Sequence, residues 1–352
     1  MDEAPRQPSD GPVLSGPTAA NPQDAASMAR GLSRKVMLAA LFGGLVFAAL
    51  ALYGDVQQLR RAAMSFEPAA VALGFSLAAG NYVLRVCRWQ YYLRCLGVVV
   101  PLFESSVVFL AGFVMSVTPG KVGEVFKSLL LYERRGVSMV RTAPIVIAER
   151  LTDLIALVLL TAVGSLAFEN GVAIAAAGAV LVAGMVAVFA YRPLGEFCIG
   201  LFERIPAFSR IAHKVHEAYA SLLTMLRPGP LLVGTLIALG AWGLECGTMY
   251  SIVRGFPKVA LPWDAAVFAY SASTIVGALA MLPGGLGVTE AGMTGLLQAL
   301  GGPAMTRAVA TAATMLTRLA TLWFAVAIGW VAFAIYRASM RREGRAAQVG
   351  AR

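Results

Sequence analysis

Glu149, Arg150 and Asp153 stand within one apolar stretch, Pro144 to Phe168. At helical spacing Glu149 and Asp153 are four apart and share a face, while Arg150 points away from it by about 100°. Glu245 lies in the apolar run Leu231 to Val253, and Arg318 in the run Ala308 to Tyr336. A charge at the bilayer centre costs at least about 2.5 to 3.5 kcal/mol on insertion scales, so each must face a partner or water. Two uses compete for each residue alone: a structural ion pair between helices, and a contact to a ligand in a wet cavity. Five such groups together favour the cavity, for which a packed apolar bundle has no need. Arg150 is placed to pair with Glu124 or to bind a phosphate bidentately.

Two turns offer a second kind of chemistry. Thr118-Pro119-Gly120-Lys121-Val122-Gly123-Glu124 and Leu282-Pro283-Gly284-Gly285-Leu286-Gly287-Val288-Thr289-Glu290 share PGxxG followed by a nearby glutamate. Proline removes a donor and glycine weakens a helix, so such a sequence inside a membrane is tolerable only against protein or a wet cavity. Each tip then ends one half-helix and begins another, whose free N–H groups and positive dipole end favour an anion, particularly phosphate. Lys121 adds a full positive charge at the first tip. The alternative is a pair of ordinary loops outside the membrane. Arg85, Arg88 and Trp89 form RxxRW after the apolar run Pro68 to Leu84, where snorkelling side chains at the interface compete with a headgroup-binding role.

The elements that must position these residues follow from composition. Of 352 residues, 58% are hydrophobic and 14% charged, against about 45 to 50% and about 25% in soluble domains. With a mean hydropathy of +0.72, lipid is the expected solvent and a soluble enzyme is excluded. The net charge of +10 raises nucleic acid as a partner, but Lys and Arg collect in cytoplasmic loops for orientation, so none is expected. Cys87, Cys95, Cys198 and Cys246 show no CxxC spacing, and His213 and His216 are the two histidines. Neither a metal site nor a cofactor is expected.

Residues 1–33 carry Pro5, Pro8, Pro12, Pro17 and Pro22 among small and polar residues and read as a disordered cytoplasmic tail. The run Val36 to Tyr53 is too long for a signal peptide and reads as a retained span. Eight plain crossings would put the basic cluster Lys121, Lys127, Arg134, Arg135 and Arg141 outside, against the positive-inside rule. A first half over 34–191 with a re-entrant hairpin at 99–131 keeps that cluster inside. Residues 192–228 form amphipathic cytoplasmic helices, with Val215, Tyr219, Leu222 and Leu226 on one face of the second. A second half over 229–337 holds a re-entrant hairpin at 264–300, and 338–352 is a basic cytoplasmic tail. The fold class is thus an all-α integral membrane bundle in the cell membrane with both termini cytoplasmic.

The halves repeat. The turns stand 164 residues apart, as do Asn81 and Glu245, while Glu149-Arg150-Leu151 is echoed by Thr317-Arg318-Leu319 at 168. In this topology the repeats are inverted, the arrangement of transporters with a midplane site between broken helices.

The ordered set Asn81, Leu84-Arg85, Arg88-Trp89, TPGKxGE, Glu149-Arg150-Leu151-Thr152-Asp153 and PGGLGVxE resembles the flippase-like domain of lysylphosphatidylglycerol synthases over about residues 36 to 336. The resemblance implies a translocator moving an anionic or phosphate-bearing lipid, phospholipid or polyprenyl-linked, between leaflets. The soluble aminoacyl-transferase domain of bifunctional members is not matched, so the synthase activity does not carry over and the lipid need not be lysylphosphatidylglycerol. The expected headgroup site draws on Asn81, Arg85, Arg88, Pro119, Gly120, Lys121, Gly123, Glu124, Lys127, Glu149, Arg150, Asp153, Glu245, Gly284, Gly285, Gly287, Glu290 and Arg318. The rival reading is a membrane-embedded enzyme, with Glu124 or Asp153 as general base, or an accessory subunit for synthesis of a lipid-linked glycan or modified phospholipid. A separately encoded lipid-modifying or glycan-assembly enzyme is the expected protein partner.

Overall fold

The computed structural model describes residues 66–117, 124–166, 171–190 and 212–350, with a few isolated positions besides. The N-terminal tail, the run Val36 to Tyr53, the first turn at 118–123 and the first amphipathic stretch lie outside them. Among the described residues the chain is helical throughout. Helix α1 spans Pro68–Cys95 and α2 Leu102–Ala111, continued by a 3-10 turn at Gly112–Met115. Helices α3 (Phe126–Arg135), α4 (Pro144–Ser165), α5 (Gly171–Ala190) and α6 (Ala212–Met225) follow. The remainder comprises α7 (Pro228–Arg254), α8 (Trp263–Leu279), α9 (Val288–Leu300), α10 (Arg307–Arg318) and α11 (Phe324–Gly350). Helices Pro68–Cys95, Pro228–Arg254 and the continuous Arg307–Glu343 are long and apolar enough to cross a membrane.

Prolines at the first turns of α1, α4 and α7 fit positions whose N–H groups have no helical partner. The long helices α1 and α7 pack antiparallel: Gly74 faces Ile252, Gly80 faces Leu244 and Gly240 faces Leu84. Their glycines bring the backbones close, as small residues do between helices in lipid. The sequence ends the second apolar run at Leu84, whereas α1 continues to Cys95 and carries Arg85 and Arg88 inside the bundle. Its extension is stabilised by partners far along the chain, described below.

Two helix pairs, α2 with α3 and α8 with α9, are braced by helices distant in sequence. Helix α2 and its 3-10 turn pack on α11, and α8 packs on α4. Gly164 on α4 admits α8: a Cβ there would stand 2.7 Å from the Phe268 nitrogen and 2.8 Å from the Asp264 carbonyl oxygen. Gly329 on α11 admits the first pair, with the Val114 nitrogen 2.6 Å from the same construction. Alanine at either position forces backbones apart and is expected to cost about 1 to 3 kcal/mol, read as a lowered unfolding temperature in detergent.

One apolar core joins Trp89, Phe109, Leu130, Ile145 and Leu222 to Ala332 and Tyr336, and a second joins Ala156 and Leu157 to Trp242, Tyr270 and Met293. The second of the expected amphipathic helices is present as α6, with Leu222 and the following Leu226 buried. Helix α11 runs on to Gly350, through most of the stretch expected as a basic tail from 338. Arg134 holds this extension through Ser339 and Glu343, both at 2.7 Å. Arg134 also pairs with Glu104 at 3.0 Å, and hydrogen bonds from Arg135 hold the Glu104 carboxyl below the usual carboxylate range.

Candidate functional site

Charges brought into the bundle must be paired there, because desolvation costs several kcal/mol per ion. Asp153 is the hub. Its Oδ1 accepts from Arg88 Nη1 at 2.7 Å and from Trp242 Nε1 at 3.0 Å, and its Oδ2 lies 2.8 Å from Arg150 Nη2. Arg88, 1% exposed, also donates to Thr152 Oγ1. The interfacial, snorkelling role weighed for Arg88 is therefore corrected: it is a buried ion-pair residue. Arg150 Nη2 stands 3.0 Å from Glu124 Oε2, one of the two uses weighed for it from sequence.

Behind this hub, Lys127 pairs with Glu149 in the apolar interior. Its ammonium lies 4.6 Å from the Trp89 ring centre and 4.8 Å from that of Phe109, where ring quadrupoles attract a cation. In the second half, Arg318 Nε donates to Glu290 Oε1 at 2.6 Å and its Nη2 to the Gly284 carbonyl at 2.7 Å. Glu290 Oε2 in turn accepts from the Gly287 N–H at 2.6 Å, capping α9. Gly284, Gly285 and Gly287 have φ of 60°, 68° and 88°, left-handed values that suit glycine.

These groups surround one cavity of about 300 Å³. Arg85, Glu124, Arg150 and Asp153 line it from the first half, and Glu245, Gly284, Gly285 and Arg318 from the second. Asn81, Arg88, Lys127, Glu149, Gly287 and Glu290 do not line it. Asn81 donates to the Ala241 carbonyl at 2.7 Å and joins α1 to α7; Arg88 braces the lining residue Asp153 and Glu290 braces Arg318, while Lys127 and Glu149 pair with each other. Pro119, Gly120, Lys121 and Gly123 lie outside the described residues. Val117, just before that turn, is 3.5 Å from where a Cβ of Gly284 would stand.

Arg85 differs from the other lining arginines. Its approach to Asp153 Oδ2 is 4.0 Å, longer than the pairs that Arg150 and Arg318 make, and its guanidinium sits 5.5 Å from the Phe113 ring centre. Sequence reasoning missed Tyr82, Trp242, Tyr270 and Thr321, which complete the lining. Tyr270 donates to Glu245, and Tyr82 donates to the Thr321 carbonyl at 2.9 Å. Thr321 belongs to a π-helical segment, Leu319–Trp323, the kind of bulge that re-aims groups at functional sites. Trp242, three residues before Glu245 on the same helix face, had a usable signal in that spacing. Around the cavity stand five cations (Arg85, Arg88, Lys127, Arg150, Arg318) and five anions (Glu124, Glu149, Asp153, Glu245, Glu290), formally balanced among the described residues. No three His, Cys, Asp or Glu side chains among those residues are grouped as a metal site requires.

Long apolar helices enclosing a cavity of paired charges define an all-helical membrane protein with a polar interior site. The chain belongs to the family of the lysylphosphatidylglycerol synthase TM region, which it matches over residues 36–329. It is similar to a UPF0104 membrane protein of Methanothermobacter thermautotrophicus, 26% identical over 317 residues, 82% of this chain and 91% of the relative. A second UPF0104 membrane protein match in that organism is 27% identical over 110 residues, 31% of this chain and 32% of the relative.

Proposed function

We propose that the protein is a lipid translocator, moving an anionic or phosphate-bearing lipid, phospholipid or polyprenyl-linked, between the leaflets of the cell membrane. The observation that carries this reading is the convergence of arginines from both halves on one cavity inside an apolar bundle. A phosphate there meets Arg85, Arg150 and Arg318, while Glu124 and Asp153 order two of those cations. The reading is of a carrier that leaves the bonds of the lipid intact, rather than of an enzyme. A separately encoded enzyme that makes or uses the lipid is the natural partner.

In this reading the halves are inverted repeats, each with a re-entrant hairpin, and both termini are cytoplasmic. Four observations support that arrangement. Helices α2, α3, α8 and α9 have 10, 10, 17 and 13 residues, short of the about 20 needed to cross. Gly80 packs on Leu244, 164 residues further along, which is the spacing of the two turns and the contact expected near a two-fold axis. Each half pairs the arginine of its later helix with the glutamate after its own turn, Arg150 with Glu124 and Arg318 with Glu290. Each hairpin packs on a helix of the other half.

Proteoliposomes with headgroup-labelled phospholipids or polyprenyl phosphates test the function. Wild type is expected to exchange lipid between leaflets, and the Lys121→Ala, Arg150→Ala double variant about tenfold or more slowly. Equal exchange by both proteins sinks the site, and exchange by neither sinks the translocator.

A further inference from the structure

The cavity has a mouth that can be located. Of its described lining residues, Ala278, Leu279, Met281 and Leu282 are exposed, Leu279 by 70% and Met281 by 63%, while every other described lining residue is buried or half-buried. Ala278 and Leu279 end α8, and Met281 and Leu282 follow it just ahead of the second turn. Three large apolar side chains in succession are an unfavourable rim for a mouth that opens to water. Facing hydrocarbon, they need no cover.

Volume points the same way. About 300 Å³ is at the lower end of ligand sites, room for a headgroup but not for the chains of a lipid. The chains must leave the cavity, and the apolar rim is where an exit exists.

The rim also carries unusual backbone. Met281 has φ of 54°, a left-handed value uncommon outside glycine, asparagine and aspartate, and it is followed by the left-handed Gly284, Gly285 and Gly287. This segment is fastened on its cavity side by the bond from Arg318 to the Gly284 carbonyl.

We infer that Leu279, Met281 and Leu282 form a lateral portal, through which the hydrocarbon chain of a lipid remains in the membrane while its headgroup occupies the polar cavity. The inference rests on the translocator reading and adds where the chain passes. Met281 stands within the portal rim, between Leu279 and Leu282, and the ligand class is an amphiphile rather than a free phosphate or another soluble anion.

Two measurements test it in vesicles of dioleoylphosphatidylglycerol. In the first, Met281→Cys is made in the full chain with its four native cysteines replaced by alanine and labelled with a fluorophore. Stronger quenching by brominated lipid than by aqueous iodide is expected; stronger quenching by iodide overturns the portal, whether or not any lipid is transported. In the second, Met281→Trp is expected to slow exchange of headgroup-labelled dioleoylphosphatidylglycerol about tenfold, with binding of the water-soluble dibutanoyl analogue retained. Exchange at the wild-type rate by Met281→Trp, alongside loss in Arg150→Ala, removes the portal and leaves the translocator standing. Absence of exchange in the wild type removes the translocator, and the quenching result then decides the portal alone.

Discussion

Asp153→Ala is expected to give a protein that loses about 3 to 5 kcal/mol of stability and fails to elute from a sizing column as a single species in detergent. The loss comes less from the missing carboxylate than from what it leaves behind. Arg88, 1% exposed, would keep its charge with Thr152 Oγ1 as the remaining neutral acceptor, and Trp242 would lose the acceptor of its indole N–H. Arg150 is better protected, because Glu124 lies 3.0 Å away. Two companion variants separate charge from shape. Asp153→Asn retains an acceptor oxygen and is expected to fall between wild type and alanine. Adding Arg88→Leu to Asp153→Ala removes the stranded cation and should recover part of the stability. A single Asp153→Ala variant that melts with the wild type would show that the hub contributes nothing to folding.

The second large effect falls on Arg318. Its guanidinium bridges a carboxylate and a backbone carbonyl in different elements, Glu290 on α9 and Gly284 in the turn. Arg318→Ala strands Glu290, whose side chain is fully buried, and is expected to cost about 3 to 5 kcal/mol. Arg318→Lys keeps the charge but not the planar fork, so it cannot serve both acceptors in the same geometry. The lysine variant is expected to fold with a modestly lowered unfolding temperature and to exchange lipid about tenfold more slowly. Lipid exchange at the wild-type rate in Arg318→Lys would show that the bridge to Gly284 is dispensable.

What the sequence made legible was the inventory of buried charges rather than their pairing. Glu149, Arg150, Asp153, Glu245 and Arg318 are conspicuous because an apolar stretch gives a charge nowhere to go, and pairing with Glu124 is one of the two uses the sequence leaves open for Arg150. Glu149 and Asp153 share a helix face, yet they serve different partners, Lys127 and Arg88. Nothing local distinguishes them, since the partners come from helices 22 and 65 residues away. The same remoteness explains the end of α1. Hydropathy falls at Arg85, so the apolar run stops there, while the helix persists because Asp153, 65 residues further along the chain, compensates Arg88. Trp242 and Tyr270 look like ordinary membrane aromatics until Asp153 and Glu245 are placed beside them. The π-helical segment after Arg318 left no mark in composition, because a one-residue register change is decided by packing.

The formal balance of five cations and five anions has an electrical consequence. Those ten described groups sum to zero, so rearranging as a unit they move no net charge through the membrane field, and any voltage dependence in the return of the empty site would fall to charges outside the set, such as Lys121 at the first turn. A bound monoanionic headgroup breaks that neutrality, and the field then acts on the loaded form at about 2.3 kcal/mol per charge per 100 mV. For a translocator built this way, membrane potential would bias the direction of the occupied step, without any ATP-binding element.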